Sequence, residues 1–340
     1  MEDTNRGKVV VVTGASAGVG RAVVTEFARQ GARIGLIARG RERLEATKRE
    51  VEELGGKALV LPVDVADAQQ VEKAAERVEE ELGPIDIWVN DAMTTIFAPF
   101  LEITPEEFKR ATEVTYLGQV YGTMAALKRM HPRNRGSIVQ VGSALAFRSI
   151  PLQSPYCGAK HAIVGFTDSI RSELIHDGSA VHITAVMLPA MNTPQFSWCR
   201  TRLPRHPQPV PPIFQPEVAA RAIVWAANHK QREVYVGWPT VEAIYAQKIA
   251  PSFADSYLAK HCFEGQQTSE AVSPDRPDNL FDSVPGDYSA HGIFDNRAKS
   301  YSVQSSVNME LTNLTTHRGL AAFAAMALAG LLFAALRKRS

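Results

Sequence analysis

The stretch VVVVTGASAGVG, residues 9–20, decides the fold of this chain. Its four valines are typical of a buried strand, and the glycines and small residues after them indicate a tight turn into a helix. At such a turn the backbone can approach a pyrophosphate closely, and the N–H groups at the helix N-terminus favour its negative charge. Glycine clusters also occur in ordinary turns, but the position between a first strand and a first helix favours a dinucleotide site.

Beyond this stretch, short β-branched runs alternate with amphipathic helical segments through the first two-thirds of the chain. The alternation predicts an α/β fold, a Rossmann-type doubly wound parallel sheet with flanking helices. The predicted strands are 8–13, 32–38, 58–63, 85–90, 137–141, 181–188 and 233–236. The predicted helices are 18–30, 41–54, 68–82, segments between 105 and 130, 155–176, and one near 241–250.

Two later segments depart from this alternation. Seven prolines between residues 191 and 216 predict a long irregular loop, either a lid or a surface excursion. Residues from about 265 to 315 are polar and lack apolar periodicity, which predicts a linker or a partly ordered extension. We therefore expect a Rossmann-type domain over 1–262, a polar extension over 263–316, and a separate C-terminal segment over 317–340.

Composition limits the partners that this chain can have. Of its 340 residues 45% are apolar and 21% charged, and the formal net charge is +1. Without a basic field or basic runs with interleaved aromatics, we expect no nucleic-acid partner. Three cysteines, Cys157, Cys199 and Cys262, lack metal-ligand spacing, so we expect free thiols in a reducing compartment and no metal site. No secretory signal peptide is predicted.

The glycine loop has a spacing of its own. Residues 13–20 read Thr-Gly-x-x-x-Gly-x-Gly, which differs from the general fingerprint G-x-G-x-x-G. At every defined position the segment is similar to the short-chain dehydrogenase/reductase family, and the resemblance runs from about residue 7 to about residue 250. It implies an oxidoreductase whose glycine loop holds a nicotinamide cofactor. The residues implied there are Gly14, Ser16, Ala17, Gly18, Val19 and Gly20.

The second predicted strand ends at Arg39, which bears on the choice of cofactor. An acidic residue there would accept the ribose 2′-hydroxyl of NAD, whereas an arginine can pair with the 2′-phosphate of NADP(H). Family members that prefer NADP(H) resemble this chain at that position. The alternative is that Arg39 is a solvated residue, since Arg41 and Arg43 follow. The sequence thus predicts NADP(H) as the cofactor.

Three further segments resemble cofactor-binding parts of the family. The contacts implied are Asp64 and Val65 after the third strand, Asn90 and Ala92 after the fourth, and Pro189 and Thr193 after the sixth. The fourth-strand segment reads Asn-Asp-Ala-Met instead of Asn-Asn-Ala-Gly, so Asp91 and Met93 depart from the family. The lost glycine suggests an altered geometry at this point.

Tyr156 and Lys160 lie four residues apart in a predicted helix, so their side chains project from one face. A phenol with a pKa of about 10 exchanges protons poorly at neutral pH, and a neighbouring ammonium is expected to lower that pKa. Tyr-x-x-x-Lys alone often occurs by chance; with the glycine loop and Ser143 at a strand end, it indicates a site. By resemblance, Ser143 polarises a carbonyl, Tyr156 is the acid/base, and Lys160 binds the nicotinamide ribose.

One departure affects this catalytic set. Family members usually carry an asparagine in a segment like Val-Asn-x-x-Gly, and it positions a water that relays protons to the lysine. Here the segment 114–118 reads Val-Thr-Tyr-Leu-Gly, so Thr115 replaces that asparagine. A threonine hydroxyl is expected to hold such a water less well.

The C-terminal residues 319–336 read GLAAFAAMALAGLLFAAL, and Arg-Lys-Arg follows. At about 1.5 Å per residue, a helix of this length spans roughly 27 Å, close to the thickness of a bilayer's hydrocarbon core. A segment that is apolar on all sides, with alanines at four-residue spacing, predicts a single-pass anchor within 317–340. The alternative is a helix packed within a soluble oligomer. The basic tail favours a cytoplasmic C-terminus, and a single span would then place the domain on the other side of the membrane. The expected cofactor and the free thiols instead favour a domain in the cytoplasm. A re-entrant or interfacial helix would remove this conflict.

Together these features predict a membrane-tethered, NADP(H)-dependent carbonyl reductase or alcohol dehydrogenase whose catalytic domain faces the cytoplasm. Phe196, Trp198 and Phe214 in the proline-rich loop suit an apolar substrate. The alternative is a non-catalytic NADP(H)-binding scaffold or redox sensor, favoured only by Thr115 and the altered Asn-Asp-Ala-Met segment. The family's habit of pairing through long helices suggests a homodimer or homotetramer.

Overall fold

Seven parallel strands form the central sheet of the computed structural model, which describes residues 4–273 and 275–303. The strands are β1 (Val9–Thr13), β2 (Arg33–Ala38), β3 (Lys57–Pro62), β4 (Ile85–Asn90), β5 (Ser137–Ser143), β6 (His182–Leu188) and β7 (Glu233–Tyr235). Their spatial order is β7-β6-β5-β4-β1-β2-β3, and every neighbouring pair is parallel. The order reverses between β1 and β4, and such a switch point opens a crevice at the carboxyl ends of the strands.

Helices cover both faces of the sheet. They are α1 (Gly18–Arg29), α2 (Arg41–Glu53), α3 (Ala68–Glu81), α4 (Pro105–Thr112), α5 (Gly118–Met130), α6 (Ser154–His176), α7 (Gln195–Trp198), α8 (Pro216–Asn228), α9 (Trp238–Ile249) and α10 (Pro251–Gly265). Helices α1, α2 and α8 enclose one apolar core with the sheet, while α3, α5 and α6 enclose the other. The predicted Rossmann-type fold is confirmed.

Proline positions explain where the predicted elements were incomplete. The loop predicted over 191–216 contains α7 and three short strands, Arg200–Thr201, Arg205–Pro207 and Ile213–Phe214. Helices α8 and α10 were not predicted. Each begins with a proline, which is tolerated in the first turn because the missing N–H has no partner there in any helix.

The described part of the polar extension packs against the domain. Gln267–Ala271 pairs antiparallel with Arg205–Pro207, and Ala298–Lys299 pairs parallel with Ile213–Phe214. Leu280 is fully buried. Up to residue 303, the extension is therefore a docked layer and not a free linker.

The predicted anchor, 317–340, lies outside the described residues. Within the described residues, no helix has both the length and the apolar character that a bilayer crossing requires.

Candidate active site

A cavity of about 410 Å³ opens at the carboxyl ends of the strands, a volume typical of ligand sites. It brings together most of the residues that the sequence singled out. Those lining it are Gly14, Ser16, Ala17, Gly18, Val19, Arg39, Asp64, Val65, Ala92, Ser143, Tyr156, Lys160, Pro189 and Thr193. Gly20 and Asn90 do not line the cavity, and each supports the fold next to it, as described below.

The glycine loop depends on residues without side chains. Gly14 and Gly18 have φ angles of +76° and +59°, in the left-handed region that favours glycine. A Cβ on Gly20 would lie 2.3 Å from the carbonyl oxygen of Gly14, so this glycine allows α1 to pack against the loop. The Thr13 hydroxyl accepts hydrogen bonds from the backbone amides of Asp91 (3.0 Å) and Ala92 (3.1 Å), which ties the ends of β1 and β4 together.

We expect Gly20→Ala to lower the free energy of unfolding by about 1–3 kcal/mol, the usual cost of overpacking against backbone that cannot move away. Gly165→Ala is the matched control, because a Cβ there meets no atom within 4 Å. Alanine should stabilise that position of α6 by about 0.5–1 kcal/mol. Urea unfolding of both variants checks the prediction, and equal stabilities would contradict it.

Asn90 supports the sheet. Its side chain is fully buried, accepts a hydrogen bond from Trp88 Nε1 (2.8 Å), and donates to Thr123 Oγ1 (3.1 Å) and Gln140 Oε1 (3.0 Å). The side chain thus points into the α5 layer and away from the cavity. Its side-chain amide therefore holds β4, β5 and α5 together, and the cofactor contact implied by the resemblance at Asn90 stays a prediction.

Thr115 lies in a π-helical turn, Glu113–Leu117, between α4 and α5. Such turns are frequent at functional sites. Its buried hydroxyl donates to the carbonyl of Thr94 (2.8 Å) and accepts from the amide of Thr94 (3.0 Å). Because its only proton is committed to backbone, Thr115 cannot donate to a relay water without breaking this bond.

The end of the cavity that is lined by Arg39, Arg43 and Asp64 is here called the adenosine end, because the adenosine of a dinucleotide is expected there. It is rich in arginine. Arg39 is half-buried and donates from Nη1 to the carbonyl of Phe281 (2.5 Å) and from Nη2 to the carbonyl of Asn279. Burial, followed by the nearby charge of Arg110, lowers the pKa of Arg39. Arg110 pairs with Asp64 at 2.5 Å. Arg39 is therefore not a merely solvated residue.

Ser143, Tyr156 and Lys160 meet at the other end. Ser143 ends β5, while Tyr156 and Lys160 lie in the first two turns of α6. The Ser143 side chain lies close enough to Tyr156 to oppose the effect of burial on the pKa of the phenol. The Lys160 ammonium is 5.5 Å from the centre of the Tyr156 ring and donates to the carbonyl of Val141 (2.6 Å). The predicted trio is thus assembled in one place.

The acid–base properties of the trio differ from the sequence expectation in one respect. Burial raises the pKa of Tyr156, and the Ser143 side chain only partly opposes this, so the pKa is not lowered as predicted. Burial also lowers the pKa of Lys160 to about 8, with the carboxylate of Asp91 opposing the shift. The tyrosine is therefore a protonated phenol at neutral pH.

Asp91 is the site residue whose role the sequence did not reveal. It lines the cavity, and burial raises its pKa to about 7 against the opposing charge of Lys160 and a hydrogen bond from the Gly20 amide. The sequence showed only a mismatch with the family's asparagine. Asp91 and Lys160 both line the cavity, and the electrostatic interaction between them depends on the folded chain, because Asp91 follows β4 and Lys160 lies in α6.

We expect the wild type to lose stability relative to Asp91→Asn as pH rises from 5 to 8, by about 1–3 kcal/mol. The pKa of Asp91 is about 7 in the folded state against an ordinary 3.8, so between these values the folded protein binds the extra proton and its stability falls with pH. Urea unfolding at both pH values measures the difference.

Asp67→Asn provides a control. The backbone amide of Gln70 lowers the pKa of Asp67 at the N-terminus of α3, so this carboxyl is ionised in both the folded and the unfolded state above pH 5. The difference in stability between wild type and Asp67→Asn should therefore stay constant from pH 5 to pH 8. A constant difference between wild type and Asp91→Asn would show that burial does not raise the pKa of Asp91.

The sequence of this chain is similar to those of known proteins. Residues 8–201 match the family model of the short chain dehydrogenases. An uncharacterized oxidoreductase of Bacillus subtilis (strain 168), YxnA, is 31% identical over 281 residues, covering 82% of this chain and 79% of that protein. The 3-dehydrosphinganine reductase of Danio rerio is 34% identical over 226 residues, covering 64% and 68%.

A solved structure is also similar to this chain. The crystal structure of a metagenomic short-chain oxidoreductase in complex with NADP has a TM-score of 0.58 and 25% identity, covering 68% of this chain and 98% of that chain. The family match spans the glycine loop, Ser143, Tyr156 and Lys160, all of which the fold assembles around one cavity. The chain therefore belongs to the short chain dehydrogenase family and is an oxidoreductase of that type.

Proposed function

We propose that this protein transfers a hydride between NADP(H) and a carbonyl or secondary alcohol of an apolar substrate, with Tyr156 as the general acid/base. The observation that carries the proposal is the convergence of Ser143, Tyr156 and Lys160 on the cavity that the glycine loop also lines. The residues fit a dinucleotide: Gly14 and Gly18 leave room for a pyrophosphate beside the N-terminus of α1, and arginines gather at the adenosine end.

The bound nicotinamide supplies or accepts the hydride. In reduction, the Ser143 hydroxyl donates a hydrogen bond to the substrate oxygen, and Tyr156 gives that oxygen its proton as negative charge develops. The raised pKa of Tyr156 keeps this proton available at neutral pH. Lys160 lies beside the phenol and stabilises the phenolate that remains. In oxidation, Tyr156 takes the proton back.

The far end of the cavity supports an apolar substrate. Its lining there consists of prolines and aliphatic or aromatic residues: Phe196, Trp198, Pro209, Val210, Pro239, Ala243, Leu258 and Cys262. Phe214, also predicted for this role, is buried in the domain core behind this lining. One relative is a 3-dehydrosphinganine reductase, which is consistent with the proposal.

We expect Arg39→Ala to weaken NADPH binding roughly 10- to 100-fold while NADH binding changes little, because charge-assisted hydrogen bonds to a phosphate are worth about 1.5–3 kcal/mol. Arg41→Ala is the control, since Arg41 is exposed and its side chain pairs with Glu45. Titration of both cofactors by fluorescence measures the ratio. Equal losses for NADPH and NADH would argue against 2′-phosphate selectivity at Arg39.

A panel of ketones and aldehydes of rising apolarity, with NADPH and NADH in parallel, tests the activity. Turnover with NADPH that rises with apolarity is the expected result. Tight NADPH binding without turnover in either direction would favour the alternative, a non-catalytic NADP(H)-binding scaffold or redox sensor.

The location and assembly belong to the same proposal. The composition of 319–336 supports a single-pass C-terminal anchor with the catalytic domain facing the cytoplasm, and the family resemblance supports a homodimer or homotetramer. Flotation of the full chain with liposomes tests the anchor, and light scattering in detergent tests the assembly. A chain that stays in the aqueous fraction would overturn the anchor.

A further inference from the structure

Residues 276–299, here called the strap, cross the adenosine end of the cavity. We propose that the strap is part of the cofactor site: it covers the adenosine half of the dinucleotide and positions Arg39 for the 2′-phosphate. This inference rests on the proposed NADP(H) dependence. The strap lies beyond residue 201, where the family match ends.

The first end of the strap is fixed by one arginine. Arg276 donates to three backbone carbonyls in and beside α7: Phe196 (2.6 Å), Ser197 (2.8 Å) and Cys199 (2.8 Å). Three residues further on, the amide of Asn279 donates to the carbonyl of Trp198 (2.9 Å). Because these bonds hold the backbone itself, they fix the place at which the strap enters the cavity wall.

The next residues of the strap contact the arginines of the adenosine end. The carbonyls of Asn279 and Phe281 accept from Arg39, and the carbonyl of Leu280 accepts from Arg110 Nε (3.1 Å). A guanidinium has five N–H donors in a rigid plane. Two carbonyls therefore fix the plane of Arg39 and leave three donors for a phosphate. Asn279 and Ser283 also line the cavity.

The middle of the strap lies beside the glycine loop. Asp287 pairs with Arg21 of α1 at 2.5 Å, and the carbonyl of Ser289 accepts from the amide of Gly18 (3.3 Å). The Tyr288 ring packs edge-on against Trp198 at 4.6 Å, and the Arg43 guanidinium lies 5.8 Å from the Tyr288 ring. The strap thus joins α1, α2 and α7 above the region where the adenosine and pyrophosphate would lie.

The second end of the strap is also held in place by hydrogen bonds. Asp295 accepts from Asn192 Nδ2 (2.8 Å), and the amide of Gly292 donates to the carbonyl of Asn192 (3.2 Å). His291 bonds to Glu217 (2.7 Å). With both ends attached, the strap has to loosen before a dinucleotide beneath it can leave, so its contacts set the rate of cofactor dissociation.

The test uses the full chain and measures NADPH dissociation by stopped-flow displacement, together with the Kd for NADPH and NADH. Arg276→Ala removes the three carbonyl contacts, and we expect NADPH to dissociate at least about tenfold faster. The ratio of the NADH Kd to the NADPH Kd should also fall, because Arg39 loses its fixed plane. Arg77→Ala, an exposed arginine paired with Glu81 on α3, is the matched control and should change neither quantity.

Asp287→Asn is the milder second variant. Its side chain is about half exposed, and Arg21 keeps its pair with Glu50, so the fold should be retained while dissociation becomes a few times faster. If the NADPH dissociation rate and the ratio of the two Kd values are unchanged in a folded Arg276→Ala protein, the proposed role of the strap is wrong. If that variant does not fold, an unchanged rate and ratio in Asp287→Asn would lead to the same conclusion. A wild type that binds neither cofactor would instead remove the proposed function.

Discussion

Tyr156→Phe should reduce turnover by about 10³-fold while NADPH binding stays within a factor of two of the wild type. General acid–base catalysis by a positioned side chain contributes roughly 10²–10⁴-fold, and phenylalanine removes the only proton that this side chain can transfer. The phenol is a protonated donor because burial raises its pKa. Its ring packing against the Lys160 ammonium is retained in the variant.

Single-turnover kinetics and fluorescence titration of NADPH separate the two effects. Tyr121→Phe is the matched control, since that tyrosine packs against the core enclosed by α3, α5 and α6 and does not line the cavity. It should keep wild-type turnover. A Tyr156→Phe protein that still turns over at the wild-type rate would show that another group supplies the proton.

Local sequence signals predicted the parts of the fold that depend on neighbouring residues. Four valines followed by Gly14 and Gly18 define a strand and a left-handed turn whatever the rest of the chain does. The i,i+4 spacing of Tyr156 and Lys160 likewise brings both side chains to one face of α6. Residues of both features line the cavity, and local sequence is enough to predict them.

Long-range contacts account for what was missed. Asp91 interacts electrostatically with Lys160, which lies 69 positions later in the chain, and its pKa is raised because the folded chain buries its carboxyl group. The sequence of the strap predicts a linker or a partly ordered extension because it lacks apolar periodicity. The strap docks through a few isolated apolar residues, such as Leu280, and through hydrogen bonds and ion pairs, such as those of Arg276 and Asp287, which leave no periodic pattern.

Lys160→Met should lower turnover about 10²- to 10³-fold and, unlike Tyr156→Phe, should also weaken NADPH binding. The lysine is 2% exposed, and methionine fills a similar volume without the charge that stabilises the phenolate. Replacing Lys160 also removes the positive charge that opposes the effect of burial on Asp91. The pKa of Asp91 should therefore rise above its value of about 7, because the opposing ammonium is gone.

The double variant Asp91→Asn with Lys160→Met isolates this coupling. We expect Lys160→Met to be less stable relative to the wild type at pH 8 than at pH 6, since ionising an unpaired Asp91 becomes costly as pH rises. Adding Asp91→Asn should recover more stability at pH 8 than at pH 6, without restoring turnover. Stability effects that simply add at both pH values would mean that the two groups do not interact, and Lys160 would then act on Tyr156 alone.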